Sequence, residues 1–538
     1  MPHDDGTNLP SVREAVLDQL RAAGMTTCFG NPGSTELPFL DRWPDDFRYV
    51  LALQEGCAVA MADGFARSTG RAAVCNLHSA VGIGHAMGNL FTAFRNQAPL
   101  VITVGQQARS LLPGNPFLGS TEAASFPKPY VKWSIEPARA QDVPAAIAHA
   151  WAIAMTRPRG PTLVSIPMDD WGVATRPPAW RAAPSDTAPD PAALDEAATA
   201  LAAARRPVIV AGPEVDDEGA GPALVALAEK LRAPVLASPF ASRICFPEDH
   251  PLFAGFLAAA PGAVAEALAP YDFVLVLGAP VFTFHVAGIC ALFESGTPIW
   301  QFTTDPEAAA AAPAGRAVLG AMRFAIPGLA SRLPEPTRQN PAPPNAVAPP
   351  VAATPLPPAF LFDALRRAMP PGAVLVEEAP SHRPAIQRHL PVTDWGGFFT
   401  MASGGLGYAL PAAVGVAMAR PGTRVVALIG DGSMMYSIQA IWTAVQHRLP
   451  VTIIVVNNGG YGAMRSFGRV LGVTGAPGID VPGLDFVALA RGMGCAGECV
   501  ADAASLEAAL AEAFADPAPR LIDVVVDPAI SALYRKAP

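Results

Sequence analysis

The amino-acid sequence predicts an α/β protein made of three doubly wound domains, each built around a parallel sheet. Short apolar runs of strand length alternate with Ala-rich segments of helical length along the chain, which is typical of such sheets. Two Pro-rich stretches, at residues 181–191 and 333–358, interrupt this alternation and indicate extended, solvated connectors. The length of 538 residues also suits three domains of roughly 150–200 residues. We therefore expect domains at residues 1–180, 192–332 and 359–538.

The predicted strands of the first two domains are apolar runs bounded by Gly, Pro or polar residues. In the first domain they lie at residues 49–53, 72–77 and 100–104. In the central domain they lie at residues 207–212 and Phe273–Leu277. Because helices separate these runs, we expect the strands of each sheet to be parallel and covered on both faces.

Composition excludes several classes of protein. The net charge of −9 and the sequence pI of about 5.5 argue against a general nucleic-acid binder. An uncharged run at residues 273–293 is interrupted by Gly278 and Pro280, so it predicts a buried strand entering a loop and not a membrane span. No secretory signal is visible at the amino terminus, and we expect the 7 cysteines to be buried free thiols in a reducing cytoplasm.

The third domain carries the most informative stretch of the chain. Its predicted elements are strands at residues 424–429 and 451–456, a crossover helix at 436–447 between them, and a further strand at Leu521. Asp431, in the sequence GDGS, and Asn458, in NNGG, follow the first two strands directly. Open α/β sheets bind ligands at the carboxyl ends of their strands, so we expect these two side chains to meet at a ligand site.

The residue types at this edge suit a metal ion and a diphosphate. One carboxylate, one amide oxygen and a nearby backbone carbonyl fit Mg²⁺, which prefers hard oxygen ligands. The glycines allow the backbone to approach a diphosphate, beside a helix N-terminus that attracts anions. An ordinary strand–turn–helix with Asp as a turn residue is the alternative, but Asn-Asn-Gly after the next strand favours a cofactor. The block resembles the thiamine diphosphate motif, which implies that Asp431, Asn458 and the Gly460 carbonyl hold Mg²⁺.

Glu55 follows a predicted strand and begins an apolar helical segment. Alone, such a carboxylate would only complement the helix dipole. In a thiamine-dependent enzyme, however, the aminopyrimidine needs an acid at its ring nitrogen, so that the imino form can remove the C2 proton and create the ylide. Desolvation in an apolar site would favour the carboxyl form and make this exchange feasible. The Gln54-Glu55 setting resembles the conserved glutamate segment of thiamine diphosphate-dependent decarboxylases.

Ser34, His78 and His285 each allow an ordinary structural interpretation: a helix N-cap, a strand end and a loop residue. Together, in this order, they resemble the benzoylformate decarboxylase branch of that family. The resemblance extends over nearly the whole chain, and its motifs lie at residues 29–34, 36–40, 51–55, 76–80, 131–134, 278–282, 404–407 and 484–486. It implies a thiamine diphosphate-binding fold with pyrimidine-binding, central and diphosphate-binding domains.

The resemblance also implies roles for individual residues. Ser34 would contact the 2-oxo acid, His78 and His285 would relay protons, and Glu55 would activate the cofactor. Further cofactor contacts are implied for Ser381, Gly404, Leu406, Asp431, Ser433, Tyr436 and Asn458, and an aryl pocket for Ser34, Leu118, Met464 and Phe467. The implied reaction converts benzoylformate to benzaldehyde and CO₂ through a thiamine diphosphate ylide, as in the mandelate pathway, with carboligase side activity. The active sites would lie between the subunits of a homodimer or homotetramer.

Four positions depart from the family pattern: Pro380 and Met464, and nearby Thr35 and Ser466, which replace residues of different size. Pro380 stands where a hydroxyl residue is usual and offers the diphosphate neither a hydroxyl nor an N–H, and Met464 stands where leucine is usual. The flexible methionine allows a broader substrate range, so a carboligase or a decarboxylase of other 2-oxo acids or aldehydes remains an alternative. A dinucleotide-binding oxidoreductase is disfavoured because the central block lacks a glycine-rich fingerprint, and a non-catalytic cofactor-binding subunit is disfavoured by Glu55.

Overall fold

The computed structural model describes residues 9–184, 186–334, 339, 341, 347–529 and 533. Three parts of the sequence predictions lie outside these residues. They are the amino-terminal segment, where no secretory signal is visible, part of the connector predicted at 333–358, and most of the last nine residues of the third predicted domain. Within the described residues the chain forms three six-stranded sheets, and all the strand pairs in them that have a defined register are parallel. The predicted α/β class with three parallel sheets is therefore confirmed.

The first sheet and its helices occupy the amino-terminal third of the chain. The strands are β1 (Thr27–Gly30), β2 (Arg48–Leu51), β3 (Ala73–Leu77), β4 (Leu100–Gln106), β5 (Trp133–Ile135) and β6 (Thr162–Pro167). The helices are α1 (Val12–Ala22), α2 (Leu37–Leu40), α3 (Glu55–Thr69), α4 (Ser79–Arg95) and α5 (Val143–Met155). The strand order is β2-β1-β3-β4-β6-β5, so the central strands β1, β3 and β4 end at the same edge.

The central sheet has its own helices and its own apolar core. The strands are β7 (Pro207–Ala211), β8 (Val235–Ala237), β9 (Phe253–Phe256), β10 (Phe273–Leu277), β11 (Ile299–Thr303) and β12 (Arg316–Leu319), in the order β12-β11-β10-β7-β8-β9. The helices are α6 (Pro191–Ala203), α7 (Glu214–Asp217), α8 (Gly221–Leu231), α9 (Pro261–Leu268), α10 (Pro306–Ala310) and α11 (Met322–Arg332). The buried Glu214 carboxylate occupies the carboxyl edge of this sheet, where it accepts hydrogen bonds from Thr303 (2.6 Å) and Thr304 (2.8 Å).

The third sheet lies in the carboxyl-terminal third. The strands are β13 (Val374–Glu378), β14 (Phe398–Thr400), β15 (Val425–Gly430), β16 (Val451–Asn457), β17 (Ala496–Val500) and β18 (Arg520–Val525), in the order β14-β13-β15-β16-β18-β17. The helices are α12 (Pro358–Ala368), α13 (Arg383–His389), α14 (Ala409–Ala419), α15 (Asp431–Met434), α16 (Ala440–Gln446), α17 (Gly462–Leu471), α18 (Phe486–Gly492) and α19 (Ala503–Ala515).

The first and third domains share one continuous apolar core, in which α3 packs on α14. Two glycines allow the helices to approach closely. A Cβ atom at Gly64 would lie 2.2 Å from the Ala412 carbonyl oxygen, and one at Gly415 would lie 1.9 Å from the Met61 carbonyl oxygen. Any larger residue there would push the helices apart. The domains that carry the predicted cofactor residues are thus packed tightly against each other within the chain.

Two sequence predictions need correction. The helix predicted at 436–447 is wrong in its first part, because the chain turns after α15 and α16 starts only at Ala440. The turn places Ser437 against α3, where its carbonyl oxygen lies 3.9 Å from the Cys57 thiol. The cysteines are all free, but Cys499 is exposed because it lies on the edge strand β17. In the described part of the chain, no helix has the length and apolar character needed to cross a membrane.

Candidate active site

The carboxyl edge of the third sheet brings Asp431 and Asn458 together. Strands β15 and β16 are paired in register from Val425 with Val451 to Gly430 with Val456, so both residues follow neighbouring strand ends. The Asp431 carboxylate accepts hydrogen bonds from the backbone N–H groups of Gly432 (2.7 Å) and Gly460 (2.8 Å). Burial raises the pKa of Asp431, against the opposing effect of these donors. A bound cation would offset that cost and favour the ionised carboxylate.

The loops at this edge fit a metal ion and a diphosphate. Asn458 is 4% exposed, and its side-chain Nδ2 has no hydrogen-bond partner among the described residues. An orphaned buried donor of this kind is satisfied by an acceptor such as a phosphate oxygen or water. Gly460 has a φ of +147°, and a Cβ atom there would lie 2.4 Å from the Ile479 carbonyl oxygen. The carboxylate, amide and carbonyl oxygens of these loops therefore suit Mg²⁺, and the glycine loop leaves room for a diphosphate beside it.

A cavity of about 710 Å³ opens from this edge towards the central domain. The predicted site residues that line it are His285, Ser381, Gly404, Leu406, Asp431, Ser433, Gly460, Met464 and Phe467. Pro380 also lines it and, as expected from the sequence, offers neither a hydroxyl nor a backbone N–H to a ligand. The third and central domains thus contribute most of the predicted cofactor and pocket residues to one space.

The loop that carries Leu406 is held by Glu378, a residue that sequence reasoning did not single out. The buried Glu378 carboxylate accepts hydrogen bonds from the backbone N–H groups of Gly407, Tyr408 and Ala409, each 2.7 Å long. These contacts fix the end of the loop and cap the N-terminus of α14. Complete burial raises the pKa of Glu378 to about 7, although the three N–H groups oppose this shift and Glu377 adds to it.

The raised pKa of Glu378 predicts a pH-dependent stability. The folded state binds this proton more tightly than the unfolded chain, whose carboxyl has a pKa near 4.5. The stabilisation from this group is therefore complete below about pH 4.5 and is lost as the pH rises towards 7, a change of about 3 kcal/mol. We expect Glu378→Gln to lack that change when unfolding free energies are compared from pH 4.5 to 7.5. Glu266→Gln, at an exposed position on α9, should keep the wild-type profile, and an identical profile in Glu378→Gln would refute the assignment.

His285 lies at the end of the cavity formed by the central domain. Its backbone N–H donates to the Ala259 carbonyl oxygen (2.9 Å), which fixes the loop after β10. The imidazole ring packs edge-on against Phe467 of α17, with 4.5 Å between ring centroids, and lies 5.8 Å from the ring of Phe240. This arrangement places a titratable group beside an aromatic wall.

The first domain presents a second group of predicted residues at the carboxyl edge of its own sheet. Glu55 begins α3 and is 9% exposed, and Gln54 caps that helix by accepting from the Cys57 N–H (3.1 Å). Oε2 of Glu55 lies 3.1 Å from Nδ1 of His85 on α4. An acid at this buried turn, with one oxygen already in contact, can present its other oxygen to a ligand.

His78 is oriented by neighbours that the sequence prediction overlooked. Its Nδ1 lies 2.9 Å from Oε2 of Glu36 and 3.0 Å from the Thr35 hydroxyl oxygen. The Thr35 hydroxyl donates to the other Glu36 oxygen (2.7 Å), so both neighbours act as acceptors towards His78. This pattern assigns the ring proton to Nδ1 and leaves Nε2 free to act as a base. Oε2 of Glu36 also accepts a hydrogen bond from the Gly33 N–H (2.7 Å), so Glu36 fixes the turn that carries Ser34 as well as the ring of His78.

The structure does not bring all predicted residues into one space. Ser34, Glu55, His78 and Leu118 are not among the described residues that line the cavity. Ser34 is exposed on the short 3₁₀ turn Ser34–Glu36, and Leu118 lies in a loop with a φ of +59°. Tyr436, also predicted to bind the cofactor, is 57% exposed beside the cavity loops. The single chain therefore carries two separate groups of site residues, one on each sheet edge.

Comparisons with known proteins identify the family. Three profiles match: the thiamine pyrophosphate enzyme N-terminal TPP binding domain (residues 10–125), its central domain (194–329) and its C-terminal TPP binding domain (380–524). The chain is 44% identical to benzoylformate decarboxylase of Pseudomonas aeruginosa, over 96% of this chain and 99% of that protein.

Solved structures agree with the sequence comparison. The crystal structure of benzoylformate decarboxylase from Polynucleobacter necessarius matches with a TM-score of 0.95 and 37% identity, covering 97% of this chain and 100% of that one. A thiamine diphosphate-dependent 4-hydroxybenzoylformate decarboxylase from Rhodococcus jostii matches with a TM-score of 0.93 and 41% identity, covering 96% and 99%. Similarity at this level extends to the whole architecture of the chain.

Proposed function

Because the chain belongs to the family of thiamine pyrophosphate-dependent enzymes, we propose that it decarboxylates an aromatic 2-oxo acid without oxidation, converting benzoylformate to benzaldehyde and CO₂. The observation that carries this proposal is the cavity, which joins the Asp431 and Gly460 loops to the His285–Phe467 pair. The loops suit a metal-bound diphosphate, and the aromatic wall suits an aryl group. A place for this enzyme in the mandelate pathway would be consistent with this substrate.

Residues of the third domain would hold the cofactor. Asp431, Asn458 and the Gly460 carbonyl would bind Mg²⁺, and Ser381, Ser433 and Tyr436 would contact the diphosphate. When bound, thiamine diphosphate supplies a carbon nucleophile and an electron sink for the loss of CO₂. The Gly404 backbone and the Leu406 side chain would fix the orientation of its two rings, which is why the anchoring of this loop by Glu378 matters.

Residues of the first domain would handle the substrate head group and the protons. Glu55 would exchange a proton with the pyrimidine ring nitrogen, and Ser34 would donate a hydrogen bond to the substrate carboxylate. His78 would use Nε2, since Glu36 holds the proton on Nδ1. His285 would protonate the reacting carbon within the low-polarity pocket formed with Phe467.

Separate roles for the two histidines predict different kinetic defects. We expect His78→Ala and His285→Ala each to lower kcat by roughly 10²–10⁴-fold, since a positioned proton donor or acceptor contributes about this much. In pre-steady-state measurements, a different step of the reaction should be slowed in each variant. Wild-type turnover in either variant would remove that histidine from the proton relay. His149→Ala, which alters an exposed histidine on α5, serves as the control.

We also propose an assembly in which two copies complete each other's sites. The two separate groups of site residues support this, because Glu55 of one copy can then face the cavity of the other. A homodimer is the minimal active unit, and a homotetramer would be a pair of such dimers. We retain domain limits of 1–180, 192–332 and 359–538, and a cytoplasmic location that suits seven free thiols, six of them buried.

A substrate panel tests the proposed function directly. With added thiamine diphosphate and Mg²⁺, CO₂ release should be fastest from benzoylformate when compared with phenylpyruvate, pyruvate and indolepyruvate. Activity should disappear when both cofactors are removed and return when both are restored. Met464, 55% exposed on the cavity wall, favours the second candidate, a carboligase or a decarboxylase of other 2-oxo acids. A preference for an aliphatic substrate would establish that candidate instead.

A further inference from the structure

His85 lies beside Glu55, although the proposed mechanism assigns it no role. Its Nδ1 is 3.1 Å from Oε2 of Glu55, and its carbonyl oxygen accepts a hydrogen bond from the Gln54 side chain (3.1 Å). One residue of α4 therefore contacts both members of the turn that carries the predicted cofactor-activating acid. The Glu55 side chain is 12% exposed, whereas that of His85 is 58% exposed, so the contact is made at the mouth of a buried turn.

The contact belongs to a helix face that is fitted to this turn. Gly82, His85 and Asn89 are spaced three and four residues apart, so they lie on one side of α4. A Cβ atom at Gly82 would lie 3.5 Å from Cγ of Glu55, which shows how closely the helix approaches. Asn89 donates from Nδ2 to the Gly56 carbonyl oxygen (2.9 Å). Three successive residues of this face thus pack on, or hydrogen-bond to, the 54–56 turn.

The same face also reaches the loop that orients the cofactor in the third domain. Nδ2 of Asn89 lies 3.1 Å from the Gly407 carbonyl oxygen, next to Leu406. The position of α4 is therefore fixed by both domains, which holds the His85 backbone close to Glu55. An ordinary surface ion pair between two mobile side chains would have no such backbone support.

We propose that His85 is a positioning residue for Glu55, which donates its Nδ1–H to Oε2 and so directs Oε1 towards the pyrimidine of the cofactor. A carboxylate can rotate about its last bond, and a hydrogen bond to one oxygen removes that freedom. His85 does not touch the cofactor in this arrangement. The inference rests on the proposed role of Glu55 and adds to it a residue on which its orientation depends.

The main test compares two substitutions at His85. Loss of a hydrogen-bond partner that orients a metal ligand changes function by about 10–100-fold, and we expect His85→Ala to slow deuterium exchange at C2 of bound thiamine diphosphate by a similar factor. His85→Asn, which keeps an N–H donor near the position of Nδ1, should retain a rate within about threefold of the wild type, since the hydrogen bond persists. His149→Ala, at the exposed position on α5, should exchange at the wild-type rate. Equal rates in His85→Ala and wild type, or an Asn variant as slow as the Ala variant, would overturn the proposal.

A second measurement uses the protein without cofactor. In ¹⁵N-histidine-labelled protein, the His85 resonances should show a protonated, hydrogen-bonded Nδ1, and Glu55→Ala should shift that signal while leaving His149 unchanged. An unshifted His85 signal in Glu55→Ala would reject the hydrogen bond, whatever the exchange rates of the His85 variants. Failure of the function itself would look different, because Glu55→Gln would then exchange at the wild-type rate. If C2 exchange is slow in Glu55→Gln but runs at the wild-type rate in His85→Ala, only the positioning role of His85 is rejected.

Discussion

Replacing Glu55 with glutamine is expected to slow deuterium exchange at C2 of bound thiamine diphosphate by roughly 10²–10⁴-fold. Glutamine keeps the shape of the side chain but has no ionisable group that could transfer a proton to and from the pyrimidine nitrogen. The helix cap provided by Gln54 and the packing of α3 do not involve the carboxylate, so the fold should persist. Cofactor affinity should therefore fall far less than the exchange rate.

Exchange is measured by quenching the loaded enzyme in acid after short times in D₂O and recording the C2 proton by NMR. Glu229→Gln makes the same chemical change on α8 of the central domain and should leave the rate unaltered. Binding is followed separately by the quenching of tryptophan fluorescence. If Glu55→Gln exchanges as fast as the wild-type enzyme, another group activates the cofactor, and the assignment of the first sheet edge to catalysis is lost.

The strands could be predicted because their apolar runs are continuous and strictly local. Phe273–Leu277 was predicted with its observed limits, and the run starting at Leu100 extends only two residues further than expected. The strand predicted at 49–53 ends instead at Leu51, since the chain leaves the sheet to place Gln54 as a helix cap. Such limits depend on contacts that a hydrophobic pattern does not encode.

The candidate site was predictable only where strand topology alone positions it. Asp431 and Asn458 follow adjacent strands, so the rule for ligand sites at strand ends was sufficient. Glu378 gave no such signal, because its three partners at Gly407, Tyr408 and Ala409 are distant in sequence and meet it only through the packing of α14. The contact between Glu55 and His85 has the same origin, since it depends on the packing of α4 against the turn that begins α3.

Asp431→Asn is expected to weaken Mg²⁺-dependent binding of thiamine diphosphate by about 100-fold or more. The substitution removes the negative charge that a divalent cation needs and turns one carboxylate oxygen into an amide NH₂. Both oxygens of Asp431 accept backbone hydrogen bonds, from Gly432 and Gly460, so the new NH₂ would face an N–H donor. That conflict should displace the Gly460 loop, because its N–H would lose its acceptor.

Isothermal titration with thiamine diphosphate, at several Mg²⁺ concentrations, separates the two consequences of Asp431→Asn. If only the charge were lost, a higher Mg²⁺ concentration would restore part of the affinity for thiamine diphosphate. If the loop were displaced, it would not. We expect little compensation, because the amide conflicts with the backbone whether or not the metal is present. Asp249→Asn, at an exposed position, provides the matched control.

Without ligand, Asp431→Asn should remain folded, since burial already raises the pKa of Asp431 and makes its charge costly in the absence of a cation. Wild-type affinity in Asp431→Asn, with unchanged dependence on Mg²⁺, would show that the metal binds elsewhere and would separate the carboxyl edge of the third sheet from cofactor binding.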